Sequence, residues 1–99
     1  MEQREQPDRR AYRVEDPQRR IPRYCKRQPA GVAEAIRQAC AAVAQDPYKP
    51  TAQRCVVHHL RGQFRCCREF RKLPDNRRLF YQVDDETRVV TIVYVGPHP

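Results

Sequence analysis

The chain has 99 residues, 39% of them apolar, and its 20 Lys and Arg against 12 Asp and Glu give a formal charge of +8. That length fits one small domain with a thin core, and no apolar run is long enough to cross a bilayer or to act as a secretion signal. A cytoplasmic protein with a polyanionic partner (RNA, DNA or an acidic protein) is therefore expected.

Only Lys26, Lys49 and Lys72 among the bases are lysines; the rest are arginines, whose planar fork suits phosphate. A compositional bias towards Arg is the bland alternative. Cys25, Cys40, Cys55, Cys66 and Cys67 make an odd number of cysteines. Without a secretion signal they read as free thiols in a reducing compartment.

Residues 1–10, "MEQREQPDRR", are polar without an apolar pattern and read as a disordered or loosely held arm before a single domain over 11–99. "AYRV" (11–14) reads as a short edge strand. In "EDPQRRIPRYCKRQP", Asp16 is placed as a helix N-cap and Pro17 at the first helical position. Pro22 is awkward inside such a helix, which must kink or begin there. "AGVAEAIRQACAAVAQDP" (30–47) is the clearest helix, with Val32, Ile36, Ala39, Cys40 and Val43 on one stripe and Asp46-Pro47 as its stop. "YKPTAQRCVVHHLRG" reads as a connector.

From Gln63 the pattern alternates. "QFRCCREFRKL", "RRLFYQV" and "RVVTIVYV" read as strands, with "PDN" and "DDET" as turns. The expected fold is α+β: a small antiparallel sheet, made of the N-terminal edge strand and a C-terminal three-strand meander, with two helices packed on one face.

Histidines titrate near neutral pH and can act as acid or base. His98 follows the last strand beside Gly96 and Pro97; from position alone it is either a frayed terminal residue or a group aimed at a cleft. Residues 61–78 hold seven bases and two acids. Arg65, Arg68, Arg71, Lys72, Arg77 and Arg78 thus lie on adjacent strands, where several guanidiniums can meet a phosphate. A solvated charged face is the alternative. Cys55, His58, Cys66 and Cys67 invite a metal reading, but no C-x-x-C is present, and neighbouring residues on a strand face opposite ways. No metal or other cofactor is expected.

"HHLRG", a basic strand, and "RRLFYQVDDETRVVTIVYVG" followed by Pro-His together resemble the RelE/ParE superfamily of bacterial toxins, nearest to the RelE and YafQ mRNA interferases. In element order the resemblance spans about 11–99; its specific part is 58–98. It implies a type II toxin, neutralised by a cognate antitoxin, that enters the ribosomal A site and cuts mRNA by attack of the RNA 2′-hydroxyl on the adjacent phosphate. By the same resemblance, Arg78 falls on a phosphate-binding arginine, His98 on a C-terminal catalytic Arg or His, and His58 on an active-site histidine. Asp75 falls on an acidic residue in the same turn of YafQ, and Arg71 on another active-site histidine of YafQ, so His98, His58, Arg78, Arg71 and Asp75 make up the expected catalytic set. Arg68 falls near a lysine of RelE, whose C-terminal tyrosine has no counterpart. Arg65, Arg68, Lys72 and Arg77 complete the expected RNA-binding set. Two alternatives remain: a ParE-like inhibitor of DNA gyrase, which is not a nuclease, and a non-catalytic basic binding module.

Overall fold

The computed structural model of the chain describes residues 11–48, the backbone of 55–57, and residues 67–98. β1 (Arg13–Glu15) leads into α1 (Arg20–Cys25) and α2 (Ala30–Gln45). β2 (Cys55–Val57), β3 (Arg68–Phe70), a 3-10 turn (Pro74–Asn76), β4 (Arg77–Asp84) and β5 (Val89–Pro97) follow. All five strands join one sheet in the order β1-β5-β4-β3-β2. The expected arm at residues 1–10 lies outside the described residues.

β3, β4 and β5 form the expected antiparallel meander. Two features differ from expectation. β1 is an edge strand, but it runs parallel to β5, with Val14 opposite Val90. Its direction is set by the path of the chain over the helices, and a three-residue strand carries no local sign of it. The connector also contains a strand, β2, paired antiparallel with β3. Cys-Val-Val is too short to display the alternation that identifies a strand.

The two helices begin for different reasons. The Asp16 carboxylate accepts the backbone N–H groups of Arg20 at 2.9 Å and Ile21 at 2.7 Å. It caps α1 from one turn upstream, so the helix starts at Arg20 and not at Pro17. Pro22 then falls in the first turn, where an N–H has no intrahelical acceptor, and no kink is needed. α2 follows its apolar stripe: Val32, Ile36, Ala39 and Val43 are buried and Cys40 is partly so. Asp46 adopts an extended conformation and ends it.

These helical residues pack with Phe70, Leu79, Tyr81, Val90, Ile92 and Val95 into one core. Both helices therefore cover one face of the sheet. The irregularity between Phe80 and Tyr81 shifts the β4–β5 register by one residue. Phe80 lies outside that core, yet it is buried and stacks at 5.6 Å between ring centroids on Tyr94. Cys25, Cys40 and Cys67 are free thiols, and burial pushes the Cys40 thiol up to about 12.

The β4–β5 turn is built by Asp84, whose Oδ1 accepts the N–H groups of Glu86 and Thr87. Its neighbour Asp85 accepts the hydroxyls of Tyr12 at 2.6 Å and Tyr48 at 2.6 and 2.7 Å. This carboxylate ties the start of β1 and the exit of α2 to the hairpin. The hydrogen bonds from Tyr12 and then Tyr48 hold the Asp85 carboxyl below its ordinary range, and they push Tyr48 up to about 12. The carboxylate's contribution is present above its unfolded pKa and lost as pH falls through the lower folded value. The tyrosines' contribution is full below their unfolded pKa and lost as pH rises towards their raised values. Thermal unfolding followed against pH is expected to lose midpoint at both ends, and Asp85→Asn is expected to flatten both arms. An unchanged acid arm in that variant would exclude Asp85 as its cause.

Candidate functional site

The expected site residues fall on the end of β3, the Pro74–Asn76 turn, the start of β4 and the end of β5. Alternation along β4 sends Leu79 and Tyr81 into the helix-side core and Arg78 and Phe80 to the other face. On β3, Glu69 is the cross-strand partner of Phe80. It therefore stands diagonally beside Arg78, whose Nε lies 2.7 Å from Glu69 Oε2.

Both partners are buried, with 10% of the Arg78 side chain and 4% of Glu69 accessible. Arg71, exposed and two residues beyond Glu69, brings its Nε to 4.0 Å from the other carboxylate oxygen. Glu69 thus bridges two of the expected catalytic cations. A buried ion pair of this kind holds a guanidinium in one place at a cost in desolvation. Glu69 is not among the expected site residues, although it is a lone acid among Arg68, Arg71 and Lys72.

The turn that follows needs unusual backbone: Asp75 and Asn76 both sit at left-handed φ values of 56° and 60°. Asp and Asn tolerate this region better than other non-glycine residues. The turn delivers Arg77 to the helix side, where every guanidinium nitrogen holds an acceptor. Nε donates to Tyr24 Oη at 2.9 Å, Nη2 to Gln28 Oε1 at 3.0 Å, and Nη1 to the Pro74 carbonyl at 3.0 Å and Asp75 Oδ2 at 3.1 Å. Arg77 braces the turn against α1. Its donors are committed inside the protein, unlike those of the phosphate ligand expected from the charge run.

His98 lies just beyond β5, beside this turn, and its backbone N–H donates to the Asn76 carbonyl at 3.1 Å. One residue back, the Pro97 carbonyl accepts the Tyr94 hydroxyl at 2.6 Å. The tail is therefore pinned on both sides and is not frayed. Across the ladder, Arg78 faces Gly96. Gly96 has φ +154°, and a Cβ there would lie 2.9 Å from Tyr94 Oη. Gly96→Ala is expected to cost about 1–3 kcal/mol, the range for a strained backbone position, and to release Tyr94 from Pro97. Chemical denaturation measures the first effect; an unchanged midpoint would contradict it.

Arg71, Asp75, Arg78 and His98 are thus gathered at one end of the sheet. Of the remaining expected residues, Arg68 lies with its guanidinium carbon 4.2 Å above the Tyr48 ring, while Lys72 is exposed beside α2. His58 and Arg65 lie outside the described residues, as do the side chains of Cys55 and Cys66. Among the described residues, no group of three His, Cys, Asp or Glu side chains is placed to share a metal ion, and no helix is long and apolar enough to cross a membrane.

This small α+β fold has the architecture of solved toxin structures. It superposes on the RelBE2 toxin–antitoxin complex of Mycobacterium tuberculosis with a TM-score of 0.65 at 21% identity, covering 89% of this chain and 99% of that one. The intact E. coli RelBE complex gives 0.64 at 25% identity, covering 90% and 99%. A mutant of E. coli RelE in the free state gives 0.61 at 22% identity, covering 88% and 83%. No curated protein matches by sequence. The profile of the ParE toxins of type II toxin–antitoxin systems, parDE, matches residues 13–98. The chain belongs to that family, within the RelE/ParE superfamily.

Proposed function

We propose that this toxin is a ribosome-dependent endoribonuclease that cuts mRNA through attack of a 2′-hydroxyl on the adjacent phosphate. The observation that carries this reading is the grouping of Arg71, Arg78 and a pinned His98 at one end of the sheet. The reaction needs a base for the 2′-hydroxyl, an acid for the leaving 5′-oxygen, and cations on the charge that builds at phosphorus. His98 serves one proton transfer, and His58 is assigned the other. Arg78, held by Glu69, and Arg71 face the phosphate. Asp75 keeps the turn and Arg77 in place. The 2′-oxygen bonds to phosphorus as the 5′-oxygen leaves, giving a 2′,3′-cyclic phosphate and a 5′-hydroxyl.

The expected protein partner is a cognate antitoxin with an acidic, amphipathic segment. The charge of +8 supports this, as does a cleft of about 410 Å³ where Ala35, Ala39 and Ala42 of α2 meet Phe70 and Lys72. Co-expression with the neighbouring gene product and a pull-down at moderate salt tests it.

A second reading, inhibition of DNA gyrase, is favoured by the ParE description of the matching family. Growth arrest on induction is common to both readings, so the distinction is molecular. Cut mRNA in arrested cells supports the nuclease. Intact mRNA with blocked supercoiling would favour the gyrase inhibitor.

A further inference from the structure

Between Asp16 and Glu34 the chain carries Arg19, Arg20, Arg23, Lys26 and Arg27 and no acid. α1 lies beside the part of β5 beyond Thr91, where β1 no longer pairs. Arg20 and Arg23 lie one turn apart on α1, Arg27 lies in the turn just past its end, and the three line one cleft of about 280 Å³ with Tyr24, Tyr94 and Val95. No carboxylate lines it.

The other arginines of the fold are mostly balanced: Arg13 by Glu15, Arg37 by Glu34, Arg77 by Asp75 and Arg78 by Glu69. Among the described residues Arg23 and Arg27 have no such partner, and Arg20 reaches only the neutral Gln18 Oε1 at 2.9 Å. Like charges gathered around one cleft repel, and an anion in the cleft relieves that repulsion.

The walls of the cleft narrow the choice of anion. Tyr24 is fixed by the hydrogen bond from Arg77, and Tyr94 by its bond to the Pro97 carbonyl. The Tyr24 hydroxyl accepts from Arg77 and the Tyr94 hydroxyl donates to Pro97, so both rings are held as walls. Guanidinium forks recognise phosphate oxygens, and fixed aromatic rings accept a stacked base. The volume lies just below the roughly 300–1,000 Å³ of ordinary small-molecule clefts, a size for one repeating unit of a strand.

We infer that Arg20, Arg23 and Arg27, with Tyr24 and Tyr94, form a binding site for the backbone of single-stranded RNA. It is separate from the Arg71, Arg78 and His98 end but adjoins it, because Tyr94 and Tyr24 anchor Pro97 and Arg77. Binding here does not depend on cleavage.

The test uses the full chain and a short fluorescent 2′-O-methyl RNA, which cannot be cut by 2′-hydroxyl attack, with affinity followed by anisotropy over a salt series. Arg23→Gln with Arg27→Gln is compared with Arg13→Gln plus Arg37→Gln, which removes the same charge elsewhere. All four positions are exposed, so both double variants keep the fold. The first is expected to bind on the order of tenfold more weakly, and its log–log salt slope to shrink by about 1.4, two contacts at about 0.7 each. The second keeps its slope. Tyr94→Leu, which removes the ring without changing charge, is expected to weaken binding severalfold while keeping the slope. Equal losses in the two double variants would overturn the inference in favour of diffuse attraction. Loss of binding to a Glu-rich peptide with RNA binding intact would overturn it in favour of an acidic protein partner.

Discussion

Arg78→Ala is expected to destabilise the fold by about 3–5 kcal/mol, the range for breaking one side of a buried ion pair. The cause is Glu69, left buried in the strand interior without its partner at 2.7 Å, though Arg71 at 4.0 Å offsets part of the loss. The lower end of the range is expected for that reason. Urea unfolding measures the loss; a change under about 1 kcal/mol would mean the pair is open to water.

This substitution cannot by itself report on phosphate binding, because an unfolded toxin is also inactive. Arg78→Met with Glu69→Gln separates the two effects. Replacing a buried pair by neutral groups of similar shape is often close to neutral for stability, so most of the loss should return. If Arg78 also stabilises charge at phosphorus, the refolded double variant still lacks about 2.7–4 kcal/mol of transition-state stabilisation, roughly 10²–10³ in rate. A stable double variant that cuts at the wild-type rate would leave Arg78 with a structural role alone.

His98→Gln is expected to slow single-turnover cleavage on the order of 10²–10⁴-fold. Glutamine keeps the size and hydrogen bonding but transfers no proton. The expectation rests on the pinned tail: the His98 N–H is held by Asn76, and Pro97 by Tyr94. A residue so placed repeats its position in each encounter with RNA. Ribosome binding should be little changed, because the arginines remain. A pH–rate profile identical to wild type would remove His98 from the mechanism and move the proton transfer to His58.

The parts of this fold legible in sequence are those with a long repeat. α2 shows five stripe positions, and β4 and β5 are runs of eight and nine residues rich in β-branched and aromatic side chains. β1 and β2 have three residues each, too few to show a period, so the direction of one and the existence of the other were not legible. The Glu69–Arg78 pair depends on the register across the Pro74–Asn76 turn, which follows from two left-handed residues and not from charge spacing. Arg77 and Arg78 are adjacent and look alike, yet strand alternation sends one to α1 and the other to the opposite face. The arginine cleft was hidden by averaging. Counted over residues 1–27, nine bases are set against five acids, but all five acids precede Pro17 and all of the cleft arginines follow it.

The most direct measurement is the fate of mRNA on a programmed ribosome exposed to the purified toxin, with the ends of any fragments identified. Cleavage within the A-site codon is predicted, only when ribosomes are present, leaving a 2′,3′-cyclic phosphate and a 5′-hydroxyl. Intact mRNA, from a folded protein that blocks DNA supercoiling by gyrase, would contradict it.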